Sequence, residues 1–212
     1  MPDQFPIAVF VSGSGSNLQA LIDVADAPFT IVCVVSDNEN ARGLVRAASS
    51  GIPTSVVAWG DHPNRESFTD AVCAVAEVAG ARALVLAGFM RILAPSAIAR
   101  FPNAILNVHP SLLPAFPGVN AVEQALDDGI GITGVTVHFV DEQVDHGPIV
   151  AQEPVPILAS DTPESLHMRI QEAEHRLLPH VVGAFARGEI TVDNEVVAWR
   201  RDGTDRIAGV AI

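Results

Sequence analysis

The chain has 212 residues, 49% of them apolar and 17% charged, and 25 acidic side chains against 12 Lys and Arg give a formal net charge of −13. This composition suits one large α/β domain and excludes a disordered chain. The acidic balance, without a cluster of Lys and Arg, disfavours nucleic acid as a partner. No apolar run reaches the ~18 residues of a membrane helix, and we expect no signal peptide. Cys33 and Cys73 fall in apolar segments, so we expect reduced thiols and a cytoplasmic location.

The first motif is a glycine-rich turn over residues 12–17, between a predicted strand (7–11) and a helix that begins near Leu18. Backbone N–H groups at such a helix start suit a phosphate group. Two alternatives compete with a phosphate site. One is a dinucleotide fingerprint, which lacks the third glycine but has Asp37 at the end of the second strand. The other is a plain tight turn capped by a serine or an asparagine.

Strands and helices alternate after this turn. Apolar runs predict strands at 30–36, 54–57 and 83–87, and helical spacing predicts a helix over 65–78. Alternation of this kind indicates βαβ units and an α/β, Rossmann-like, mostly parallel sheet with helices on both faces. Ligands then bind at the carboxyl ends of the strands.

The segment after the fourth strand surrounds one arginine with large apolar residues: Met90, Arg91, Ile92 and Leu93. Two interpretations stay open from the residues alone. The segment is either core filler beneath a helix or the wall of a flat, mostly apolar ring site.

The most informative stretch is the apolar strand that ends on Asn107 and His109 and is stopped by Pro110. Strand alternation places Asn107 and His109 on one face. An amide donor beside an imidazole suits a carbonyl oxygen that gains charge while a proton moves. Asp145 lies 36 residues beyond His109 and supplies a carboxylate that could orient it. These three side chains predict a site for acyl-group transfer.

Two further strands, at 131–140 and 149–156, predict a mixed or antiparallel portion of the sheet in the C-terminal half. His138 shares a face with Thr136, and it either looks into the site or is a buried structural histidine. Asp141 and Glu142, taken by themselves, suggest a solvated connection between the strands. The histidines and Asp145 are possible metal ligands, but no spacing resembles a zinc motif, so we predict no metal.

The last long helix is predicted to begin at Pro163, with Asp161 or Thr162 as its cap and a kink at Pro179. Glu174 lies at the border of its apolar stripe, where it meets either a salt-bridge partner or a substrate group. Residues 191–212 predict a short pair of strands and a frayed end.

Four motifs in order resemble the folate-dependent formyltransferases, and more closely the branch that acts on glycinamide ribonucleotide. They are Ser-Gly-Ser-Gly-Ser-Asn at 12–17, Gly-Phe-Met-Arg-Ile-Leu at 88–93, Asn-Val-His-Pro-Ser-Leu-Leu-Pro at 107–114 and Asp-His-Gly-Pro at 145–148. The resemblance covers about residues 7–190. It implies a single domain over 1–190, with a nucleotide-phosphate half (about 1–100), a folate and catalytic half (about 101–190) and a tail over 191–212.

The resemblance also implies substrates and residue roles. The cosubstrate is 10-formyltetrahydrofolate and the acceptor is the amine of 5'-phosphoribosylglycinamide, in purine biosynthesis, without a metal and with a monomer or homodimer as the active form. Asn107, His109 and Asp145 are implied as catalytic, and His138 and Pro110 as possible further site residues. Ribonucleotide binding is implied for Gly15, Ser16, Asn17 and Glu174, and folate binding for Met90, Arg91, Ile92, Leu93, Val140 and Asp141.

Two positions depart from the family pattern. Ala115 stands where a basic or polar residue is common, and His146 replaces a frequent glycine. Three rival functions are weighed against formyl transfer to the ribonucleotide. A formyltetrahydrofolate deformylase uses water as acceptor and carries an N-terminal regulatory domain that we do not expect here. A nicotinamide-binding protein depends on the incomplete glycine pattern, and a non-catalytic module leaves Asn107, His109 and Asp145 unexplained.

Overall fold

The computed structural model describes residues 4–201 and 204–207. By its internal contacts the chain divides into two compact units, the first ending at Asn107 and the second beginning at Val108. Within the described residues, no helix combines the length and apolar character that crossing a bilayer requires.

Up to His109 the described residues form strands and helices in alternation, as the apolar pattern predicts. In chain order these elements are β1 (Phe5–Val11), α1 (Ser16–Ile22), β2 (Phe29–Ser36), α2 (Arg42–Ser49), β3 (Thr54–Val56), a short 3-10 helix (Trp59–Asp61), α3 (Arg65–Val78), β4 (Ala83–Leu86), α4 (Pro95–Arg100) and β5 (Ile105–His109). The predicted bounds of α3 are confirmed residue by residue. Helix α4 was not predicted, because no element was assigned between Leu93 and the strand that ends at His109.

The centre of the first unit is β1, which pairs in parallel with β2 on one side and β4 on the other. Every residue of β1 from Ile7 to Val11 has 0% exposure. Continuous burial of this kind is typical of a parallel strand covered on both faces. Strand β2 also pairs with β3, and β4 with β5, again in parallel.

The second unit continues with α5 (Ala121–Asp127), β6 (Ile132–Phe139), β7 (Ile149–Pro156) and α6 (Pro163–Ala186). Strands β6 and β7 are antiparallel, with a register shift between Val137 and His138. The seven strands follow the order β3-β2-β1-β4-β5-β6-β7. The predicted fold, a mostly parallel sheet with a mixed C-terminal part, is confirmed.

Helix α6 packs on β6 and β7 and begins at a capping box. The Thr162 hydroxyl accepts from Ser165 N, the Ser165 hydroxyl accepts from Thr162 N, and Pro163 occupies the first turn. The predicted start is therefore confirmed, with Thr162 as the cap. The helix continues through Pro179 as one element.

The C-terminal segment forms a small antiparallel sheet of β8 (Ile190–Asp193), β9 (Val196–Arg201) and β10 (Thr204–Ile207). The sequence predicted a pair of strands, and the structure adds a third. The frayed end predicted for the last residues lies outside the described residues. Trp199 ties β9 to β7, since its indole Nε1 donates to the Val150 carbonyl at 3.0 Å and its ring stacks on His180 at 5.6 Å between centroids.

Candidate functional site

Strand β5 is mostly apolar but carries two polar side chains, those of Asn107 and His109. Ile105, Leu106 and Val108 are buried in the core, and the strand ends at His109, which is only 4% exposed. Asn107 precedes His109 by two residues and is partly exposed. The side chains of Asn107 and His109 therefore lie on the same face of β5, as predicted.

Both ring nitrogens of His109 lie beside oxygen atoms of the second unit. Nε2 is 2.8 Å from the Phe116 carbonyl, and Nδ1 is 3.3 Å from Oδ2 of Asp145. A carbonyl oxygen can only accept, so Nε2 carries a proton. A second proton on Nδ1 makes an imidazolium that faces the carboxylate. The ring is thus fixed in orientation and set to exchange a proton at Nδ1.

Asp145 lies between two imidazoles. Its Oδ1 is 3.6 Å from Nε2 of His138, a side chain that is 2% exposed, while Gly118 N donates to Oδ2 at 2.8 Å. The other ring nitrogen of His138 lies 2.8 Å from the Phe139 carbonyl. Of the two readings left open for His138, the structure combines both: the side chain is buried and it faces the candidate catalytic carboxylate.

The surroundings lower the pKa values of both His109 and Asp145. Burial lowers the pKa of His109 below its ordinary value, although Asp145 and the Phe116 carbonyl act to raise it. Burial works to raise the pKa of Asp145, but the contact with His138, the Gly118 N–H and the charge of His109 lower it overall. At neutral pH Asp145 is therefore a carboxylate, and His109 is mainly neutral until a proton reaches Nδ1.

The loop after β6 holds a second pair, in which His146 is exposed and Asp141 is partly exposed. His146 Nδ1 lies 2.7 Å from Oδ2 of Asp141, and Gln143 N donates to the other carboxylate oxygen of Asp141 at 2.8 Å. The hydrogen bond to Asp141 raises the pKa of His146. The histidine at position 146 therefore gives Asp141, a predicted folate-binding residue, a basic partner. Its neighbour Val140 is partly exposed, and Pro110 follows His109 directly.

Glu174 lies on α6 with only 6% exposure, between the buried residues Ile170 and Leu178. A carboxylate in that environment is costly unless it has partners. The sequence predicted Glu174 at the border of the apolar stripe, and the structure buries it within that stripe.

In the first unit, the glycine-rich turn is built by close backbone packing. Gly15 has φ +68°, and a Cβ placed on it would lie 2.5 Å from the Gly43 Cα. Gly43 N donates to the Gly13 carbonyl, and the Arg46 guanidinium donates from Nε to the Ser14 carbonyl at 2.9 Å. Only glycine fits these contacts and this φ angle.

Helix α1 begins at Ser16 with Gly15 at its N-cap, and no side chain caps it. The serine or asparagine cap that the plain-turn alternative required is therefore not formed at this helix. Asn17, in the first turn, is buried with 7% exposure.

The glycine-rich turn is bonded to the segment after β4. Ser12 N donates to the Gly88 carbonyl, and Met90 N donates to the Ser12 hydroxyl at 2.8 Å. Met90 and Ile92 are 70% and 54% exposed, whereas Leu93 is 9% exposed. Leu93 thus fits the core-filler interpretation, and Met90 and Ile92 offer an apolar surface.

Arg91 is held by two neighbours that the sequence analysis did not connect with it. Its Nε donates to Oδ2 of Asp37 at 2.6 Å, and its guanidinium lies 5.2 Å from the centre of the Trp59 ring. The Asp37 side chain, 4% exposed, is engaged by this ion pair. That contact weakens the dinucleotide alternative, which requires Asp37 for a ribose hydroxyl.

The Phe116 carbonyl and the Gly118 amide, which contact His109 and Asp145, were not predicted from the sequence. The only sequence signal was the presence of three prolines in the segment after β5: Pro110, Pro114 and Pro117. Among the described residues, no group of three His, Cys, Asp or Glu side chains has the arrangement of a metal site.

The formyl transferase family model matches residues 6–182 of the chain. The chain belongs to the formyl transferase family. The resemblance predicted from the four motifs is thereby confirmed, and with it the prediction of a transferase.

Relatives of this formyl transferase include the phosphoribosylglycinamide formyltransferase of Mycobacterium tuberculosis, 45% identical over 188 residues, which are 88% of this chain and 87% of the relative. The enzyme of the same name from Haemophilus influenzae is 40% identical and is matched over 91% of its length. The trifunctional purine biosynthetic protein adenosine-3 of Bos taurus is 43% identical over 93% of this chain, which spans 20% of that relative's length.

Solved structures agree in fold. Glycinamide ribonucleotide transformylase 1 from Symbiobacterium toebii superposes with a TM-score of 0.90 at 39% identity, over 99% of this chain and 96% of the other. A formyltetrahydrofolate deformylase from Pseudomonas syringae superposes with a TM-score of 0.86 at 24% identity and is covered over 67% of its length. At that identity the deformylase shows the shared fold alone.

Proposed function

We propose that this formyl transferase moves the formyl group of 10-formyltetrahydrofolate to the amine of 5'-phosphoribosylglycinamide, in purine (IMP) biosynthesis. Relatives covered over most of their own length carry the matching names. The observation that carries the proposal is the His109–Asp145 pair, with Nδ1 and Oδ2 3.3 Å apart at the end of β5. Asn107 lies two residues before His109 on the same face of β5.

The reaction requires no covalent enzyme intermediate. The neutral amine attacks the formyl carbon, a C–N bond forms, and the carbonyl electrons move onto oxygen. When the tetrahedral intermediate collapses, the bond from this carbon to the folate nitrogen breaks. The proton lost by the attacking amine then passes to the leaving folate nitrogen, directly or through a water, so protons and charge balance.

Asn107 is proposed to donate to the oxyanion as it forms, and His109 to donate from Nδ1 once that nitrogen is protonated. The 3.3 Å contact of His109 Nδ1 is looser than the 2.8 Å contact of Nε2, so Nδ1 is the nitrogen that can exchange its protein partner for substrate. Asp145 stabilises the imidazolium and helps to move the amine proton. His138 supports the carboxylate from its other oxygen.

Substrate groups are assigned to the remaining residues on family resemblance. The phosphate is proposed to bind the uncapped turn at Gly15, Ser16 and Asn17, and Glu174 to bind a ribose hydroxyl or the amine. The folate ring is proposed to contact the segment from Met90 to Leu93, together with Val140 and Asp141. The free, buried thiols of Cys33 and Cys73 support a reducing, cytoplasmic environment, and either a monomer or a homodimer fits the proposal.

The deciding experiment measures tetrahydrofolate release from 10-formyltetrahydrofolate, with and without glycinamide ribonucleotide. We expect release only with the ribonucleotide, together with one formylated product per folate released. Equal release without it would show that water is the acceptor and would overturn both the assigned acceptor and the phosphate site. No release in either case would overturn the assigned reaction.

A further inference from the structure

We infer that Gln152 is a positioning residue for the candidate catalytic pair His109 and Asp145, acting through the loop of residues 110–118. This inference rests on the proposed function and assigns a new role within the same site. Gln152 lies on β7 and is partly exposed, and its amide donates to the Leu113 carbonyl and the Thr136 hydroxyl.

The far end of the loop holds both members of the pair through backbone groups. The Phe116 carbonyl accepts from His109 Nε2 at 2.8 Å, and Gly118 N donates to Asp145 Oδ2 at 2.8 Å. Phe116 has φ +53°, in the left-handed region. A non-glycine residue keeps such a conformation only where the surrounding structure imposes it. The position of these two backbone groups therefore depends on what fixes the loop.

The near end of the loop is fixed by Thr136, a fully buried residue of β6. Its hydroxyl donates to the Ser111 carbonyl at 2.7 Å and accepts from Leu113 N at 3.0 Å. The Ser111 hydroxyl in turn donates to the Ala115 carbonyl at 2.5 Å, one residue before Phe116. A series of hydrogen bonds thus connects Thr136 on β6 to Ala115, the residue before Phe116.

Gln152 completes this series from the neighbouring strand. Thr136 and Gln152 are direct cross-strand partners in β6 and β7. The Gln152 amide donates from Nε2 to the Thr136 hydroxyl at 2.9 Å and to the Leu113 carbonyl at 2.9 Å. One amide group uses both of its protons on the loop and its anchor, which is the full donor capacity of that nitrogen.

Packing leaves the loop little freedom to adjust. A Cβ on Gly134 would lie 2.6 Å from Leu112 Cδ2, so Leu112 fills the space that only a glycine on β6 leaves open. Without the Gln152 amide, the Leu113 carbonyl and the Thr136 hydroxyl each lose one hydrogen-bond donor, and both residues are buried. A loop released in this way shifts the Phe116 carbonyl, and misplacement by ~1 Å at a catalytic group can cost about 100-fold in rate.

The first test compares Gln152→Ala with Gln4→Ala. Gln4 is a matched control, because its amide also donates to a carbonyl, that of Ala27 at 2.7 Å, in the first unit. We expect Gln152→Ala to lower kcat by about 10- to 100-fold with little change in either KM, and Gln4→Ala to retain the rate. A kcat within twofold of the wild-type value for folded Gln152→Ala would overturn the inference.

The second test measures the pKa of His109 directly. Nitrogen-15 NMR titration, with the His109 signals assigned by their loss in His109→Ala, should show a lower pKa for His109 in Gln152→Ala, because the Phe116 carbonyl that raises it has moved. An unchanged titration would overturn the inference. If His109→Ala itself keeps full activity, the proposed function fails, whereas the titration still decides the role of Gln152.

Two more variants apply if Gln152→Ala does not fold. Gln152→Glu places an acceptor opposite the Leu113 carbonyl, so its activity should fall as the new carboxyl ionises and should recover in part on acidification. Thr136→Val removes the hydroxyl at nearly equal volume and should reproduce the loss in kcat. Thr136→Ser keeps the hydroxyl and should retain most of the wild-type kcat. Wild-type rates and pH profiles in Gln152→Glu and Thr136→Val would contradict the inference.

Discussion

Asp145 Oδ2 and His109 Nδ1 lie 3.3 Å apart, although the two residues come from a left-handed loop position and from the end of a strand. Both side chains are largely buried, so little water is available to stabilise the charge of one residue if the other is removed. The carboxylate is ionised at neutral pH, since the His138 contact and the Gly118 N–H lower its pKa overall. This relationship gives the first prediction.

Asp145→Asn should lower kcat by roughly 10²–10⁴-fold, because an amide can neither balance an imidazolium at His109 nor take up a proton. The pKa of His109 should fall further, since the charge of Asp145 acts to raise it. Steady-state rates and NMR titration check the two parts. Asp128→Asn, at an exposed carboxylate after α5, serves as the control. Turnover near the wild-type level would contradict the assigned role.

Asn107→Ala should lower kcat and kcat/KM together, by roughly 10²–10³-fold, as expected when one oxyanion donor is lost. The reason is that the amide is proposed to bind the charge that develops in the transition state. The matched control is Asn40→Ala, which truncates an exposed asparagine of the first unit. An increase in KM alone, at unchanged kcat, would instead assign Asn107 to ground-state binding.

His146 should titrate above the ordinary histidine pKa of 6.5, because the hydrogen bond and charge of Asp141 favour its protonated form. The imidazolium therefore persists to higher pH and is lost as the pH rises through the elevated pKa. Asp141→Asn should return the pKa toward 6.5. NMR titration of the His146 ring checks this prediction, with Glu142→Gln as the control, and a pKa unchanged by Asp141→Asn would refute it.

Gly15→Ala should destabilise the first unit by about 1–3 kcal/mol, the usual range for overpacking. The new methyl group would lie 2.5 Å from the Gly43 Cα, and φ at Gly15 is +68°. The KM for the ribonucleotide should rise as well, because the proposed phosphate turn is displaced. Gly13→Ala has open space around its Cβ and is the steric control. Equal stability of the two variants in chemical denaturation would contradict the packing argument.

Sequence patterns predicted the parts of this molecule that depend on side-chain periodicity. The strand ending at His109, the helix Arg65–Val78 and the antiparallel pair β6 and β7 follow from where apolar residues recur. Strand alternation alone predicts that the side chains of Asn107 and His109 lie on the same face of β5. The pairing of Asp145 with His109 was predicted from residue chemistry and from the family resemblance, because 36 residues separate the two in sequence and strand alternation does not relate them.

Features made by the main chain could not be predicted in this way. The Phe116 carbonyl and the Gly118 amide act as partners of His109 and Asp145, yet every residue type carries a carbonyl and nearly every type an amide. Helix α4 was missed because its start, Pro95, also fits the end of a loop. The ion pair of Asp37 and Arg91 joins residues 54 apart, and no periodicity links them.

The two tryptophans of the chain fall one in each unit. Trp59 lies beside the Arg91 guanidinium, and Trp199 stacks on His180 while its indole is bonded to β7. Each unit therefore carries its own intrinsic fluorophore. Replacing one tryptophan by phenylalanine leaves an optical signal that reports on a single unit, so the order in which the two units lose structure can be followed by emission alone.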